Sequence, residues 1–326
     1  MKAVGILGTG MYVPERILTN SDLEKMVETN DEWIVTRTGI RERRIAAENQ
    51  ATSDLAYEAA VRALEAASLK PEDLDLIIVA TITPDMFFPS TACILQDKLG
   101  ARKAAAFDLS AACSGFIYSL ATATGMMKSG MYRNALVIGA DTLSRITDYT
   151  DRNTCILFGD GAGAVVLGEV PEGRGFRSFE LGADGSGGPL LNLAGGGSRM
   201  PASAETVESK AHYIYMAGNE VFKFAVRIMG SAAEEALRKA GIDKKDVDLL
   251  VPHQANIRII QAALSRLELP EEKCMINLDR YGNASAASIP IALAEAVEQG
   301  RVSEGDCLVL VGFGGGLTWG ASVLIW

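Results

Sequence analysis

The sequence repeats one pattern of segments in its two halves, and this repeat constrains the fold more than any other feature. In residues 53–80 an alanine-rich amphipathic stretch is followed by a polar turn, an aspartate and an apolar run, and residues 229–253 have the same pattern. Asp73 aligns with Asp246 at an offset of 173 positions. Because the similarity keeps its order and spacing, it indicates an internal duplication.

The repeat continues toward the end of each half. FDLSAACSG and the helix-like stretch that ends at Gly130 correspond to INLDRYGNAS and the stretch that ends at Gly300, at an offset of 170 positions. RNALVIGAD then parallels GDCLVLVGF. We therefore expect two similar halves, residues 1–170 and 205–326, with a connecting glycine-rich loop region over residues 171–204.

Apolar, β-branched runs alternate with alanine-rich amphipathic stretches along the whole chain, which is typical of an α/β protein with buried strands. Such sheets present functional groups at the carboxyl ends of their strands. Cys113 lies at a strand-to-helix turn of the first half, and His253 and Asn283 lie at such turns of the second. The duplication therefore predicts that these turns converge on one central cleft.

Composition and charge narrow the range of partners. The 326 residues include 41 acidic and 31 basic side chains, for a net charge of −10. We therefore expect no general affinity for nucleic acid or anionic membrane, and an acidic partner would need a local basic patch. No apolar run approaches the roughly 18 to 20 residues of a membrane span. MKAVGILGTGMYVPE is broken by Gly8 and Gly10 and predicts a first strand rather than a signal peptide, so we expect a cytoplasmic protein.

The cysteines and histidines do not form a recognisable metal motif. The chain has five cysteines, no two closer than twenty positions, and only two histidines. This spacing fits neither a disulfide framework nor an ordinary zinc site. We expect organic chemistry without a metal.

Cys113 is the first candidate for that chemistry. FDLSAACSGF places it after a predicted strand and at the start of a predicted helix, where unpaired N–H groups and the helix dipole favour a thiolate. The alternative is a buried structural cysteine, since free cysteine is among the most buried residue types. Local context leaves both interpretations open. The other four cysteines sit in mixed apolar runs and are predicted to fill the core: Cys93, Cys155, Cys274 and Cys307.

Two further candidates are weak when each is taken alone. His253 follows the apolar run VDLLVP and precedes a predicted helix. It is either a satisfied polar residue or a group that donates a hydrogen bond to an oxyanion or moves a proton. Asn283 precedes another helix, where it is either an N-cap or a neutral amide donor to the same oxyanion.

The glycine-rich loops argue against a nucleotide cofactor. GTGMYV, GAGAVV and GFGGGL lack the third glycine of the dinucleotide-binding fingerprint, because Val13, Val166 and Leu317 stand there. No phosphate-binding GxxxxGK[ST] motif is present. GFGGG instead resembles a strand end that something approaches closely, and the N–H of Gly315 is a candidate for an oxyanion hole.

The motifs together resemble the β-ketoacyl-acyl-carrier-protein synthase III family of the thiolase superfamily. They are DLSAACSGF, HQAN, GNASAAS and GFGGGLTWG, and the likeness extends to GTGMYVPERILTN, DEWIVTRTGIRERR, FGDGAGAVVL and YIYMAGNEVFKFAV. The resemblance implies a duplicated thiolase-like fold in five αβαβα layers. It also implies that Cys113 accepts the acyl group, that His253 and Asn283 stabilise an enolate, that Gly315 serves the oxyanion hole, and that Phe313 steers decarboxylation.

The reaction that the resemblance implies is a decarboxylating Claisen condensation in two stages. A short acyl-CoA acylates Cys113, and malonyl-acyl-carrier protein then enters, loses CO₂ and attacks the acyl group. No cofactor is needed. Elongating relatives use two histidines, but here Asn283 takes the place of the second donor and His212 matches no catalytic position. True thiolases need a second cysteine, which GFGGGLTWG lacks, and the glutamate of HMG-CoA-synthase-like enzymes cannot be placed.

Five residues resemble the family's CoA-binding residues. Trp33 and Arg152 match a pair that sandwiches adenine, and Arg37 matches a phosphate contact. Gly218 and Asn256 match the pantetheine tunnel. Surface roles without a ligand are the alternative for Trp33 and the two arginines.

The remaining expectations concern macromolecular partners. Phe88 matches a residue that reaches across the interface of a homodimer to close the acyl pocket. Lys223 and Arg227, four apart on one predicted helix, and Arg258 are candidates to dock the acidic carrier protein, although a solvated helix face is the alternative for Arg227. The rival functions are a condensing enzyme of polyketide or quinolone synthesis and a non-catalytic acyl-carrier-binding protein, which we would expect to lack the nucleophile.

Overall fold

Two β-sheets form the centre of the molecule, and each half of the chain builds one of them. The computed structural model describes residues 3–326. The strands are β1 (Ala3–Tyr12), β2 (Arg16–Thr19), β3 (Glu42–Ile45), β4 (Leu76–Ala80), β5 (Ala105–Leu109), β6 (Ala135–Asp141), β7 (Gly161–Val170), β8 (Gly175–Ala183), β9 (Leu191–Asn192), β10 (Tyr215–Met216), β11 (Leu249–Pro252), β12 (Cys307–Gly314) and β13 (Thr318–Ile325).

Ten α-helices are found in residues 3–326. They are α1 (Asn20–Leu23), α2 (Asp31–Thr38), α3 (Thr52–Ala67), α4 (Thr91–Leu99), α5 (Gly115–Lys128), α6 (Ala204–Glu208), α7 (Gly218–Ala240), α8 (Ile257–Leu267), α9 (Leu278–Tyr281) and α10 (Ser288–Glu298). None of them is both long enough and apolar enough to cross a membrane.

Four strands follow the same order in both sheets, with only β5 lacking a counterpart, which confirms the duplication in three dimensions. The first sheet has the order β1-β7-β6-β4-β5 and the second β8-β13-β12-β11. In each, the inner strands are parallel, as in β4 with β6 and β11 with β12, and the hairpin strands β7 and β13 run antiparallel to their neighbours. The chain therefore builds the same topology twice.

The boundary of the second half lies earlier than the sequence predicts. Residues 171–204 were expected to connect the halves, but β8 lies within them and pairs with β13, as β1 pairs with β7. The segment GFRSFELGA is an edge strand with exposed charged side chains, so it lacks the continuous apolar run that marks the inner strands. The segment after β8 also differs from a plain loop, because it contains a 3₁₀ helix over Gly185–Leu190 and the short strand β9.

Helices α5 and α10 lie between the two sheets. Phe116 and Leu120 of α5 share one apolar core with Leu293 of α10, Val137 of β6 and Leu310 of β12. Helices α3 and α4 pack on the outer face of the first sheet, and α7 and α8 pack on the outer face of the second. The layers are therefore αβαβα, as expected. Every residue of α10 from Ser288 to Ala296 is buried, which suits a helix enclosed on all sides.

The turns before α5 and α10 have the same unusual backbone. Ala112 and Ser285 both have a left-handed conformation, with φ of 47° and 50°, and each begins a short 3₁₀ helix. The offset at these turns is 173 positions, whereas the helix ends differ by 170. Ala286, and not Asn283 as the sequence alignment indicated, is therefore the counterpart of Cys113.

Candidate active site

Cys113 lies at the buried turn between β5 and α5, as predicted. Its side chain is 8% exposed. The Ser114 hydroxyl donates to Ala111 O at 2.8 Å, and the Thr318 hydroxyl of β13 donates to the same oxygen at 3.0 Å. Gly314 packs against the turn so closely that a Cβ atom there would lie 2.5 Å from Cys113 N. The second half thus fixes the conformation of the turn that carries the thiol.

Burial opposes ionisation of the Cys113 thiol, contrary to the effect expected from its position at a helix N-terminus. Burial raises the pKa of Cys113 to about 12, and the nearby hydroxyl of Ser285 lowers it only in part. Desolvation disfavours the thiolate more than the short 3₁₀ turn favours it. The thiol of Cys113 must therefore lose its proton during any reaction in which the sulfur acts as a nucleophile.

The imidazole of His253 is neutral and lies beside the nucleophile. His253 follows β11, and its backbone N–H donates to Val311 O at 2.7 Å. Burial lowers the pKa of the imidazole to about 3. Phe313 contacts the ring edge-on, with ring centroids 5.5 Å apart. A Cβ atom at Gly312 would lie 3.4 Å from His253 Cβ and 3.5 Å from Cys113 O. The two turns that carry His253 and Cys113 are therefore direct neighbours across β12.

Asn283 is not the N-cap of α10, which is Ala287, but forms a side-chain turn ahead of that helix. Its Oδ1 accepts the Ser285 N–H at 2.9 Å, which is the capping-type interaction of a turn residue. Its backbone pairs with the first half, because Asn283 N donates to Leu157 O at 2.8 Å and Gly159 N donates to Asn283 O at 3.0 Å. The Nδ2 group makes no hydrogen bond with residues 3–326. One end of the amide is thus fixed, and the other remains a neutral donor.

A large cavity opens at Cys113. It has a volume of about 1130 Å³, and Gly315 lines it together with Cys113 and Ser285. Its apolar wall includes Ile82, Leu143, Ile146, Phe158, Leu191 and Leu193. The cavity can therefore hold an apolar chain attached to the sulfur of Cys113. The backbone N–H of Cys113 interacts with its own sulfur, and Gly315 lines the cavity beside it.

Asp141 joins the two halves beneath this site, and the sequence analysis did not identify it. Its Oδ1 accepts hydrogen bonds from the Thr81 hydroxyl at 2.9 Å, from Ile82 N at 2.9 Å and from the Thr83 hydroxyl at 2.9 Å. Its Oδ2 accepts from Ala286 N at 3.3 Å. The only sequence signal was a carboxylate at the end of an apolar strand, in VIGAD. Ser285 and Ser288 were also missed, since nothing in GNASAAS shows which serines face the site.

The predicted CoA-binding residues Trp33, Arg37 and Arg152 come together at the surface, but the slot between them is closed. The guanidinium carbons of Arg37 and Arg152 each lie 4.7 Å from the centre of the Trp33 ring. An adenine stacked between an indole and a guanidinium needs about 7 Å, which is two van der Waals contacts. Arg152 must therefore withdraw before a base can enter.

Asn256 and Gly218 occupy helix N-termini and do not line the large cavity. Asn256 caps α8, with Oδ1 accepting the Arg258 N–H at 2.9 Å, and its Nδ2 donates to Arg37 O at 2.9 Å. It therefore links α8 to the helix that carries Trp33. Gly218 is exposed at the start of α7.

The three basic residues predicted to dock a carrier protein are exposed on neighbouring helices. Lys223 pairs with Glu220 of the same helix at 2.9 Å. The Arg258 guanidinium lies 4.6 Å from the ring centre of Phe222, which places α8 beside the exposed face of α7. Arg227 lies over Phe224 at 6.0 Å. The structure thus places basic side chains from both helices on the molecular surface.

An exposed apolar loop follows β4. Phe87 and Phe88 are 81% and 85% exposed, and Met86 is 49% exposed. Phe87 and Met86 line the rim of the large cavity. Phe88 makes no contact with the cavity of its own chain, which is compatible with a role at a second copy.

The other four cysteines were predicted to fill the core, and three of them do. Cys155, Cys274 and Cys307 are buried, but Cys93 is exposed, with its Sγ donating to Ala106 O of the edge strand β5 at 3.5 Å. Within residues 3–326 no three His, Cys, Asp or Glu side chains are grouped so that they could hold a metal ion.

Comparison with known proteins identifies the family of the chain. The family models for 3-oxoacyl-[acyl-carrier-protein] synthase III match residues 107–185, and the C-terminal model of the same family matches residues 237–326. Together they cover more than half of the chain.

Relatives and solved structures match over nearly the whole length. β-Ketoacyl-[acyl-carrier-protein] synthase III of Desulfitobacterium hafniense (strain Y51) is 63% identical, over 100% of this chain and 98% of the relative. The enzyme of that name from Caldanaerobacter subterraneus is 64% identical, over 99% and 98% of the two chains. The crystal structure of 3-oxoacyl-[acyl-carrier-protein] synthase III from Aquifex aeolicus matches with a TM-score of 0.93 at 50% identity, over 99% of this chain and 100% of that one. The chain belongs to the β-ketoacyl-acyl-carrier-protein synthase III family and has its thiolase-like fold.

Proposed function

We propose that the protein condenses a short acyl-CoA with malonyl-acyl-carrier protein to give β-ketoacyl-acyl-carrier protein, CO₂ and CoA, the step that initiates fatty acid synthesis. One observation carries this proposal. The turn that carries the buried Cys113 adjoins the turns that carry two neutral hydrogen-bond donors, the imidazole of His253 and the amide of Asn283. A thiol can carry an acyl group, and two neutral donors suit an enolate oxygen.

In the first stage, Cys113 takes the acyl group from CoA. The sulfur of Cys113 attacks the thioester carbonyl, the bond from carbonyl carbon to CoA sulfur breaks, and the proton of the Cys113 thiol ends on CoA. In this proposal the N–H groups of Cys113 and Gly315 donate hydrogen bonds to the tetrahedral oxyanion. The apolar cavity next to Cys113 receives the chain of the acyl group.

In the second stage, malonyl-acyl-carrier protein enters the vacated site. The bond to the carboxylate breaks, CO₂ leaves, and the electron pair becomes an enolate whose oxygen accepts hydrogen bonds from His253 and Asn283. The enolate carbon attacks the acyl carbonyl, and Cys113 leaves as a thiolate that takes up a proton. Loss of one such donor typically costs about 10² to 10³ in rate. Phe313, packed against His253, excludes water beside the malonyl group.

The remaining parts of the proposal concern binding. CoA binds over Trp33 with Arg37 and Arg152 at its nucleotide and with Gly218 and Asn256 along its pantetheine arm. The reaction requires no cofactor and no metal, because both substrates are activated thioesters. We place the protein in the cytoplasm, where both substrates would be found.

Two surfaces complete the proposed enzyme. The acidic carrier protein binds the basic side chains of Lys223, Arg227 and Arg258, where opposite charges favour association. A second copy of the chain covers the exposed loop around Phe88 and makes a homodimer in which Phe88 closes the acyl cavity of the partner. The exposure of three consecutive large apolar residues supports this arrangement.

The test is to incubate the protein with several acyl-CoAs and to locate the acyl group by intact mass and peptide mapping. We expect one acyl group on Cys113. Acylation at another cysteine, or none with any CoA ester, would contradict the mechanism. In Asn283→Ala, acylation should persist while CO₂ release from malonyl-acyl-carrier protein falls about 10² to 10³-fold. Equal loss of both would make Asn283 structural.

A priming role in polyketide synthesis is the second candidate. The priming β-ketosynthase of the R1128 polyketide pathway matches with a TM-score of 0.92, but at only 36% identity. The curated relatives at 63 to 64% identity favour fatty acid synthesis. The range of acyl-CoAs accepted in the acylation experiment separates the two.

A further inference from the structure

Ser288 contacts the hidden side of the His253 ring. It is the first residue of α10, and its Oγ lies 2.5 Å from His253 Nδ1. The same oxygen accepts the Gln254 N–H at 3.3 Å. Ser288 and His253 are 3% and 1% exposed, so the contact is enclosed by protein.

These two partners determine the direction of the hydrogen bond. The backbone N–H of Gln254 can only donate, so it uses a lone pair of Ser288 Oγ and cannot take the hydroxyl proton. In residues 3–326 the remaining partner of Ser288 Oγ is His253 Nδ1. The hydroxyl proton is satisfied only if Nδ1 is the unprotonated nitrogen, because a buried hydroxyl without an acceptor is unfavourable. Since the ring is neutral, its one proton is then on Nε2.

We propose that Ser288 is a positioning residue that holds His253 in the Nε2–H tautomer, so that a neutral N–H donor faces the reaction site. The role of the tautomer in catalysis rests on the function proposed above, whereas the tautomer itself does not. An imidazole protonated on Nδ1 would present a lone pair at Nε2, and this would repel an enolate oxygen instead of stabilising it.

Asn283 is oriented by the same segment in the same way. The Ser285 N–H donates to Oδ1 of the Asn283 amide at 2.9 Å, which leaves Nδ2 as the free end. Ser285 and Ser288 lie three residues apart in the turn that begins α10. The turn that begins α10 therefore forms hydrogen bonds with the acceptor atoms of both side chains, His253 Nδ1 and Asn283 Oδ1. The donor groups, Nε2–H and Nδ2–H, are then left for the reaction site.

The tautomer can be measured directly in the unmodified protein. The chain contains two histidines, so ¹⁵N-histidine labelling gives two ring systems, and His253→Gln identifies which signals belong to His253. His212, whose Nε2 lies 2.9 Å from the Thr206 hydroxyl, serves as the internal reference. We expect His253 to show a protonated Nε2 and a bare Nδ1 at neutral pH. A protonated Nδ1 overturns the proposal whether or not the enzyme is active.

Variants then test the catalytic consequence. In Ser288→Ala we expect the His253 proton to redistribute between the two nitrogens and CO₂ release from malonyl-acyl-carrier protein to fall by about 10- to 100-fold, the range for removing a partner that orients a functional histidine. Acylation of Cys113 should persist, and Ser288→Thr, which keeps the hydroxyl, should restore the Nε2–H signal.

A matched control separates this effect from packing. Ser119 is also a buried serine, lies in the central helix α5, and has a hydroxyl without a hydrogen-bond partner in the described chain. Ser119→Ala should leave both the His253 signals and CO₂ release unchanged. If Ser288→Ala folds with unchanged tautomer signals, the proposal is wrong. If it does not fold, the spectrum of the unmodified protein decides alone.

Discussion

Gly314 lies against the backbone nitrogen of Cys113, so that a Cβ atom at Gly314 would come within 2.5 Å of it. The contact joins the end of β12 to the turn of the nucleophile, and no flexible side chain can move to relieve it. Gly314→Ala must therefore shift the turn. We expect a loss of about 2 kcal/mol or more in the free energy of unfolding, and acylation of Cys113 slowed by more than tenfold.

The control is a glycine in the adjacent helix. Gly125 is exposed in α5, and a Cβ atom there would have no neighbour within 4 Å. Gly125→Ala should raise the free energy of unfolding by about 0.5 to 1 kcal/mol, because alanine favours the helix, and leave acylation unchanged. Urea unfolding and acylation rates measure both variants. Equal behaviour of the two variants would show that the contact at Cys113 N is unimportant.

The pKa of Cys113 predicts an unusual pH dependence of alkylation. Because burial raises this pKa to about 12, the thiolate fraction at pH 8 is about 10⁻⁴. In a Cys93→Ser background, which removes the exposed thiol, the rate of iodoacetamide modification at Cys113 should rise about tenfold per pH unit up to pH 10. Peptide mapping assigns the modified residue. A plateau below pH 9 would mean that the thiolate is stabilised in the folded protein.

Trp33 predicts a separation between two acyl donors. If Trp33 and Arg152 hold the adenine, Trp33→Ala should raise the KM for acyl-CoA about tenfold, since stacking of one base contributes about 1 to 3 kcal/mol. The same variant should use an acyl-pantetheine, which lacks the nucleotide, as well as the unmodified protein does. Steady-state kinetics with both donors test this. An equal loss of activity with acyl-CoA and acyl-pantetheine would mean that Trp33 maintains the structure of α2 and does not bind the adenine.

Phe88 predicts the oligomeric state. Because Phe87 and Phe88 are more than four-fifths exposed, Phe88→Asp should not destabilise the monomer, but it should oppose burial against a second copy. Analytical ultracentrifugation should show a dimer for the unmodified protein and a shift to monomer for the variant. Met131→Asp, an exposed apolar residue outside this loop, provides the control and should remain dimeric. A monomeric unmodified protein would refute the prediction.

The sequence predicts well those features that depend on the pattern of apolar residues along the chain. The inner strands and central helices are continuous apolar segments, so their order and their duplication are visible without a structure. Strand β8 is an edge strand with polar side chains, and only its pairing with β13 identifies it. The same distinction holds at the site, where the positions of Cys113, His253 and Asn283 follow from the ends of predicted elements.

The chemistry of the site depends on packing between the halves, which a linear pattern does not contain. The protonation of Cys113 follows from burial beneath β12, and the roles of Asp141 and Ser288 follow from contacts across 145 and 35 positions of sequence. Serine occurs twice in residues 283–290, at Ser285 and Ser288, and only the structure shows which hydroxyl meets the imidazole. The closed position of Arg152 over Trp33 likewise depends on side-chain conformation.

The left-handed turn at Ser285 reproduces the turn at Ala112, although the second half has alanine where the first has its cysteine. The same backbone device thus serves two purposes in one molecule. In the first half the turn places the sulfur of Cys113 at the cavity. In the second half Ser285 and Ser288 form hydrogen bonds that orient Asn283 and His253. One copy of the turn carries the residue of the proposed covalent step and the other supports its surroundings, so the asymmetry of the reaction arises within a nearly symmetric backbone.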